Sequence, residues 1–122
     1  MDITNKTILI AEDEQNNFRL IKKILEGVGA NIIWAKDGEE AVHFCKTNNE
    51  IKLVIMDIRM PKLNGFEATT QIKQFKNNLP IVVQTAYANE FKKDELMRTN
   101  FDGFLSKPFT KNELIEIIQK LN

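Results

Sequence analysis

The chain has 122 residues, enough for one domain of ordinary size with a single core. It is 43% hydrophobic and 28% charged, as soluble globular proteins are, and its 17 Lys plus Arg balance 17 Asp plus Glu, which leaves no electrostatic footprint for nucleic acid or an anionic membrane. No apolar run approaches the ~20 residues needed to span a bilayer. Met1 to Asn5 lacks the basic start and apolar stretch of a signal peptide, and Cys45 is the sole cysteine, so a reducing, cytoplasmic setting is expected.

No repeat, low-complexity tract or linker interrupts residues 1–122, which read as one domain. The first predicted strand, about 6–12, contains the continuous apolar run Ile8-Leu9-Ile10 and discharges into Glu12-Asp13-Glu14. A helix follows with Phe18, Ile21, Ile24, Leu25 and Val28 on one stripe and an end near Gly27 and Gly29. The second strand spans about 30–35. Asp37 then stands three residues before Glu40, the capping-box spacing that opens a helix. On that helix His43 reads as a surface residue and Cys45 as a small buried one.

The third strand, about 51–57, carries Leu53-Val54-Ile55-Met56 and ends at Asp57, before Ile58-Arg59-Met60-Pro61. Asn64 and Glu67 repeat the capping spacing for a third helix. Pro80-Ile81-Val82-Val83 begins a fourth strand, about 80–85, which ends at Gln84-Thr85. The helix predicted over about 88–99 has only Phe91, Leu96 and Met97 for most of its apolar face, so it should be the least firmly docked. The last strand, about 102–106, runs into Lys107-Pro108, and Thr110 with Glu113 opens a final helix striped by Leu114, Ile117, Ile118 and Leu121. Five alternating strand and helix units imply an α/β fold, a parallel sheet with helices on both faces. In such folds ligands bind beyond the carboxyl ends of the strands, at a topological switch point.

Those ends carry the polar groups. An acid at one strand end is ordinarily solvated, but here two strands deliver acids to the same kind of position: Glu12 and Asp13 from the first, Asp57 from the third. Two like charges about 4 Å apart repel by roughly 4 kcal/mol at an effective dielectric near 20. Such a cluster persists when protonated, paired with cations or filled by a metal. An all-oxygen donor set suits Mg²⁺, which also takes phosphate oxygens. Zinc does not fit, because His43 and Cys45 are the only soft ligands and lie on a helix away from these ends. Thr85 offers a hydroxyl donor, and Lys107, held extended before Pro108, offers a point charge for phosphate. Phosphoryl transfer needs an in-line nucleophile, a metal and a cation for developing charge, and Asp57 is the best placed nucleophile.

At these residues the chain resembles the receiver domain of bacterial two-component response regulators, from about Lys6 to Leu121. The resemblance rests on Glu12-Asp13, Asp57 with Met60-Pro61 and Gly65, Thr85-Ala86, and Lys107-Pro108. It implies a flavodoxin-like (βα)5 three-layer sandwich whose five-stranded sheet has the order 2-1-3-4-5. It implies that Asp57 accepts a phosphoryl group from a histidine kinase or a histidine phosphotransfer domain. Mg²⁺ would be held by Glu12, Asp13, Asp57 and the backbone carbonyl of Arg59. Thr85 would move onto the phosphoryl group, Tyr87 would swing inward, Lys107 would pair with phosphoryl oxygens, and the Lys107–Pro108 bond would be cis. Glu12 stands where Asp is commoner in the family.

Ala11-Glu12-Asp13-Glu14-Gln15-Asn16-Asn17 and the segment from Met60 to Thr69 look most like receivers fused to hybrid histidine kinases. A stand-alone single-domain regulator is the alternative setting, and a non-phosphorylated interaction domain on the same fold is the alternative function. The isolated domain is expected to be a monomer that turns over no external substrate. Arg59 either shields an acyl phosphate from water or is simply solvated. Phe18 and Phe109 flank the site, where the resemblance places the docking kinase or phosphotransfer helix, although the apolar stripe assigns Phe18 to the core. A phosphatase with an Asp nucleophile usually has a second Asp where Arg59 stands, and a flavin module needs a phosphate-cradling loop where Glu12-Asp13-Glu14 would repel one.

Overall fold

In a computed structural model the described residues are 1–86 and 99–121. Five strands, β1 (Thr7–Ala11), β2 (Asn31–Ala35), β3 (Ile51–Asp57), β4 (Ile81–Thr85) and β5 (Gly103–Ser106), pair in parallel in the order β2-β1-β3-β4-β5. Four helices are described: α1 (Gln15–Gly27), α2 (Gly38–Thr47), α3 (Gly65–Phe75) and α4 (Lys111–Gln119). The helix predicted over about 88–99, with Phe91, Leu96 and Met97, and the switch residue Tyr87 lie outside the described residues.

Each face of the sheet carries its own apolar layer, because successive strand residues point to opposite sides. Leu9, Val54, Met56, Ile81 and Val83 pack with Ala41, Val42, Cys45, Ala68 and Ile72 of α2 and α3. Ile8, Ile10, Leu53, Ile55 and Val82 pack with Phe18, Ile21, Leu25, Leu114 and Ile118 of α1 and α4. Strands covered on both sides read as unbroken apolar runs, which is why β1, β3 and β4 were legible. Among the described residues no helix is long and apolar enough to cross a membrane.

Two of the three predicted capping boxes are complete, at Asn64 with Glu67 and at Thr110 with Glu113. The third is corrected: Asp37 accepts from the Glu40 N–H at 2.8 Å, but the Glu40 carboxylate accepts from the Lys36 N–H, not from the cap's own. Helix α1 is capped by Glu14, whose carboxylate accepts from the Asn16 and Asn17 N–H groups at 3.0 and 2.9 Å. The third acid of Glu12-Asp13-Glu14 therefore starts a helix.

Candidate functional site

The carboxyl ends of β1, β3, β4 and β5 open on one cleft of about 310 Å³, lined by Glu12, Asp13, Glu14, Asn17, Asp57, Arg59, Ala86 and Lys107. Glu12 leaves β1 directly, with its N–H donating to the Ala35 carbonyl at 3.0 Å and its own carbonyl accepting from the Trp34 indole at 2.8 Å. Asp57 is the last residue of β3, a central strand, and is 6% exposed. One of its oxygens, Oδ1, accepts from the Ile58 N–H at 2.9 Å. The loop that carries Arg59 is pinned twice. A Cβ on Gly65 would lie 2.1 Å from the Asp57 carbonyl oxygen, and one on Gly38 would lie 2.0 Å from that of Leu63, so only glycine permits either approach.

Oxygens of Glu12, Asp13 and Asp57 lie within 4.8 Å of one another, a spacing at which like charges repel by about 3 kcal/mol in a dielectric near 20. Lys107 relieves part of it. Its ammonium donates to Glu12 Oε1 at 2.8 Å and stands 3.6 Å from Asp57 Oδ2. A proton relieves the rest: burial first, then the hydrogen bond and the negative charge of Glu12, push the Asp57 carboxyl up to about 7. Burial alone would also raise Glu12, but the ammonium of Lys107 and the hydrogen bond from Asp57 hold it below its ordinary range. Of the pair, Asp57 is thus the acid that takes up a proton first, with Glu12 as its acceptor. Asp13 is exposed, and its carboxyl is raised, by partial burial and then by Glu12.

The donor set fits Mg²⁺. It is oxygen only, it offers the solvent-facing Asp13 beside two buried acids, and the cleft has room for the waters that this ion retains. His43 is exposed on α2 and Cys45 is buried there, with burial pushing its thiol up to about 11, so neither belongs to the site.

Lys107–Pro108 is cis, as the resemblance implied, and the Lys107 N–H donates to the Thr85 carbonyl at 2.7 Å. Thr85 is fully buried and does not line the cleft, whose β4 side is formed by Ala86. Arg59 is exposed at the rim. Phe18 is buried and stacks on Trp34, with centroids 4.2 Å apart, while half-buried Phe109 lines an apolar groove with Leu20 and Ile21 next to Lys107.

Two residues had no assigned role in the sequence. Gln84, fully buried, donates from Nε2 to Glu12 Oε1 at 3.3 Å; its only signal was an amide inside an apolar strand. Trp34 was silent in the sequence, because an indole in a strand reads as core.

A model of the response regulator receiver domain family matches residues 8–119. The chain is 36% identical over 110 residues to the alkaline phosphatase synthesis transcriptional regulatory protein PhoP of Bacillus subtilis, covering 90% of this chain and 45% of PhoP. It is 34% identical over 119 residues to the hybrid signal transduction histidine kinase I of Dictyostelium discoideum, covering 91% of this chain and 7% of that kinase. The chain thus spans less than half the length of these curated relatives. Among solved structures, the receiver domain of the sensor histidine kinase PA1611 from Pseudomonas aeruginosa PAO1, crystallised with a magnesium ion in its active-site cleft, superposes with a TM-score of 0.88 at 28% identity, covering 97% of this chain and 98% of that one.

Proposed function

The chain belongs to the response regulator receiver family, and on that premise we propose that Asp57 accepts a phosphoryl group from the phosphohistidine of a histidine kinase or a histidine phosphotransfer domain. The observation that carries this reading is the convergence of Asp57 with Glu12, Asp13 and Lys107 at the ends of three strands. Residues 1–122 act as one receiver unit.

Glu12, Asp13, Asp57 and the Arg59 carbonyl would hold Mg²⁺, which, when bound, neutralises charge on the transferring phosphoryl oxygens. Asp57 reacts as the carboxylate, so it first gives up the proton it shares with Glu12. An Asp57 oxygen then bonds to phosphorus as the P–N bond breaks, and the electron pair stays on the leaving imidazole. Lys107 turns from Asp57 toward the new phosphoryl oxygens. The added charge draws the Thr85 hydroxyl in, and Tyr87 and the segment after β4 follow. The product is a conformational state of the chain; no outside substrate is turned over.

Supplied with Mg²⁺ and radiolabelled acetyl phosphate, the wild type should take up covalent label, and chelation or Asp57→Asn should abolish it. Label that persists in Asp57→Asn would overturn the assignment. The segments around Glu12 and Asn64 favour a hybrid histidine kinase as the parent, a setting tested by sequencing the reading frame on both sides.

A further inference from the structure

Asp13 contributes the most exposed carboxylate of the cluster, so something other than packing must fix its direction. Its neighbour Glu12 is held at every polar atom. The Glu12 N–H donates to Ala35, Oε1 accepts from Lys107 and Gln84, and Oε2 accepts from the Glu14 N–H at 3.2 Å. The remaining atom is the Glu12 carbonyl oxygen, half of the planar peptide unit that leads to Asp13. A planar unit is oriented once its carbonyl is oriented. The partner of that carbonyl is the indole Nε1–H of Trp34, at 2.8 Å.

The indole is itself fixed. Phe18 of α1 stacks on it with the planes 7° apart, and the Lys36 ammonium lies 5.3 Å from its ring centre. Trp34 pairs with Ile10 in the sheet, two residues before Glu12, so the ring reaches across the end of β1 from a rigid strand. We propose that Trp34 is a positioning residue of the metal site: its N–H orients the Glu12–Asp13 peptide and so presents the Asp13 carboxylate to Mg²⁺. Through the stack on Phe18, this support also ties α1 to the metal-binding turn. The Trp34 ring touches no reacting atom.

The inference rests on the reading of the cleft as a Mg²⁺ site, and calorimetric Mg²⁺ titration of four proteins separates the two. Besides wild type, these are Trp34→Phe, a protein with β-(3-benzothienyl)alanine at position 34, which keeps the ring shape without the N–H, and one with 7-azatryptophan, which keeps the N–H. Loss of one hydrogen bond should weaken Mg²⁺ binding by about fivefold in Trp34→Phe and in the benzothienyl protein. The azatryptophan protein should bind as wild type does. Absence of Mg²⁺ binding by wild type would remove the cleft reading itself. Wild-type affinity in the benzothienyl protein would overturn the proposal while leaving that reading intact, because ring shape, not the N–H, would then be sufficient.

Discussion

Replacing Asp57 by Asn should stabilise the metal-free protein above pH 7 and leave it little changed near pH 4. The Asp57 carboxyl is 6% exposed and is pushed from 3.8 up to about 7, first by burial and then by Glu12. Its folded value lies above its unfolded value, so between about pH 4 and pH 7 the native state holds a proton that the unfolded chain has lost. Stability therefore falls as pH rises through that window and levels off above 7. Taken whole, a rise from 3.8 to about 7 is about 4 kcal/mol, at about 1.4 kcal/mol per pH unit. Glu12 and Asp57 titrate as a pair, so only part of that belongs to Asp57 alone, and about 2 kcal/mol, or roughly 8 °C in Tm, is expected above pH 7. Asn is nearly isosteric, with an amide N–H that can replace the acid's donation to Glu12 and an oxygen that can still accept from Ile58. Melting curves followed by circular dichroism in chelator, at half-unit steps from pH 4.5 to 8, measure the difference. Mg²⁺ at pH 8 should raise the wild-type Tm and leave the variant unmoved. A variant that melts at or below the wild-type temperature at pH 8, or with the same pH slope, would refute the shared-proton account.

Gly65→Ala places a Cβ 2.1 Å from the Asp57 carbonyl oxygen, so it should cost about 2 kcal/mol and weaken Mg²⁺ binding by shifting the loop that carries Arg59; unchanged urea unfolding would refute the close approach. Lys73→Met removes an almost buried ammonium that donates to the Leu79 and Asn77 carbonyls and pairs with Asp102 at 2.8 Å. A loss of about 2 kcal/mol with an unchanged urea m-value is expected, and a loss under about 0.5 kcal/mol would show the contact to be incidental.

The sheet and the cluster of acids were legible because both announce themselves through contrast. Ile8-Leu9-Ile10 and Leu53-Val54-Ile55-Met56 are too apolar to lie anywhere but between two layers, and the acids that end them, Glu12 fully buried and Asp57 6% exposed, can lie there only with a cation or a proton beside them. What was not legible depends on contacts distant in sequence. Lys73 lies one turn after Thr69 on the buried side of α3, and its spacing alone gives no sign that the ammonium ends under the start of β5. Trp34 and Gln84 read as core, and only the register of β2 and β4 beside β1 and β3 aims their N–H groups at Glu12.

Charge accounts for why the cluster stays poised as it does. With all three acids ionised beside the Lys107 ammonium, the cleft would carry one uncompensated negative charge beyond the one that solvent-facing Asp13 holds, and a proton on Asp57 would remove it. A divalent cation bound by the same oxygens would leave no place for that proton, so on the proposed reading loading the site would also ionise Asp57. On the proposed reading, phosphorylation of Asp57 would give an acyl phosphate and replace the single carboxylate charge by about two on the phosphoryl oxygens. The cleft would then be short of one donor, because Lys107 could not serve both Glu12 and the phosphoryl group as closely as it now serves Glu12 at 2.8 Å. Thr85, buried one residue before the Ala86 wall of the cleft, is the nearest hydroxyl along β4 that can meet that shortfall. On that reading a conformational change would follow from a deficit of donors created by the chemistry, with no need for stored strain.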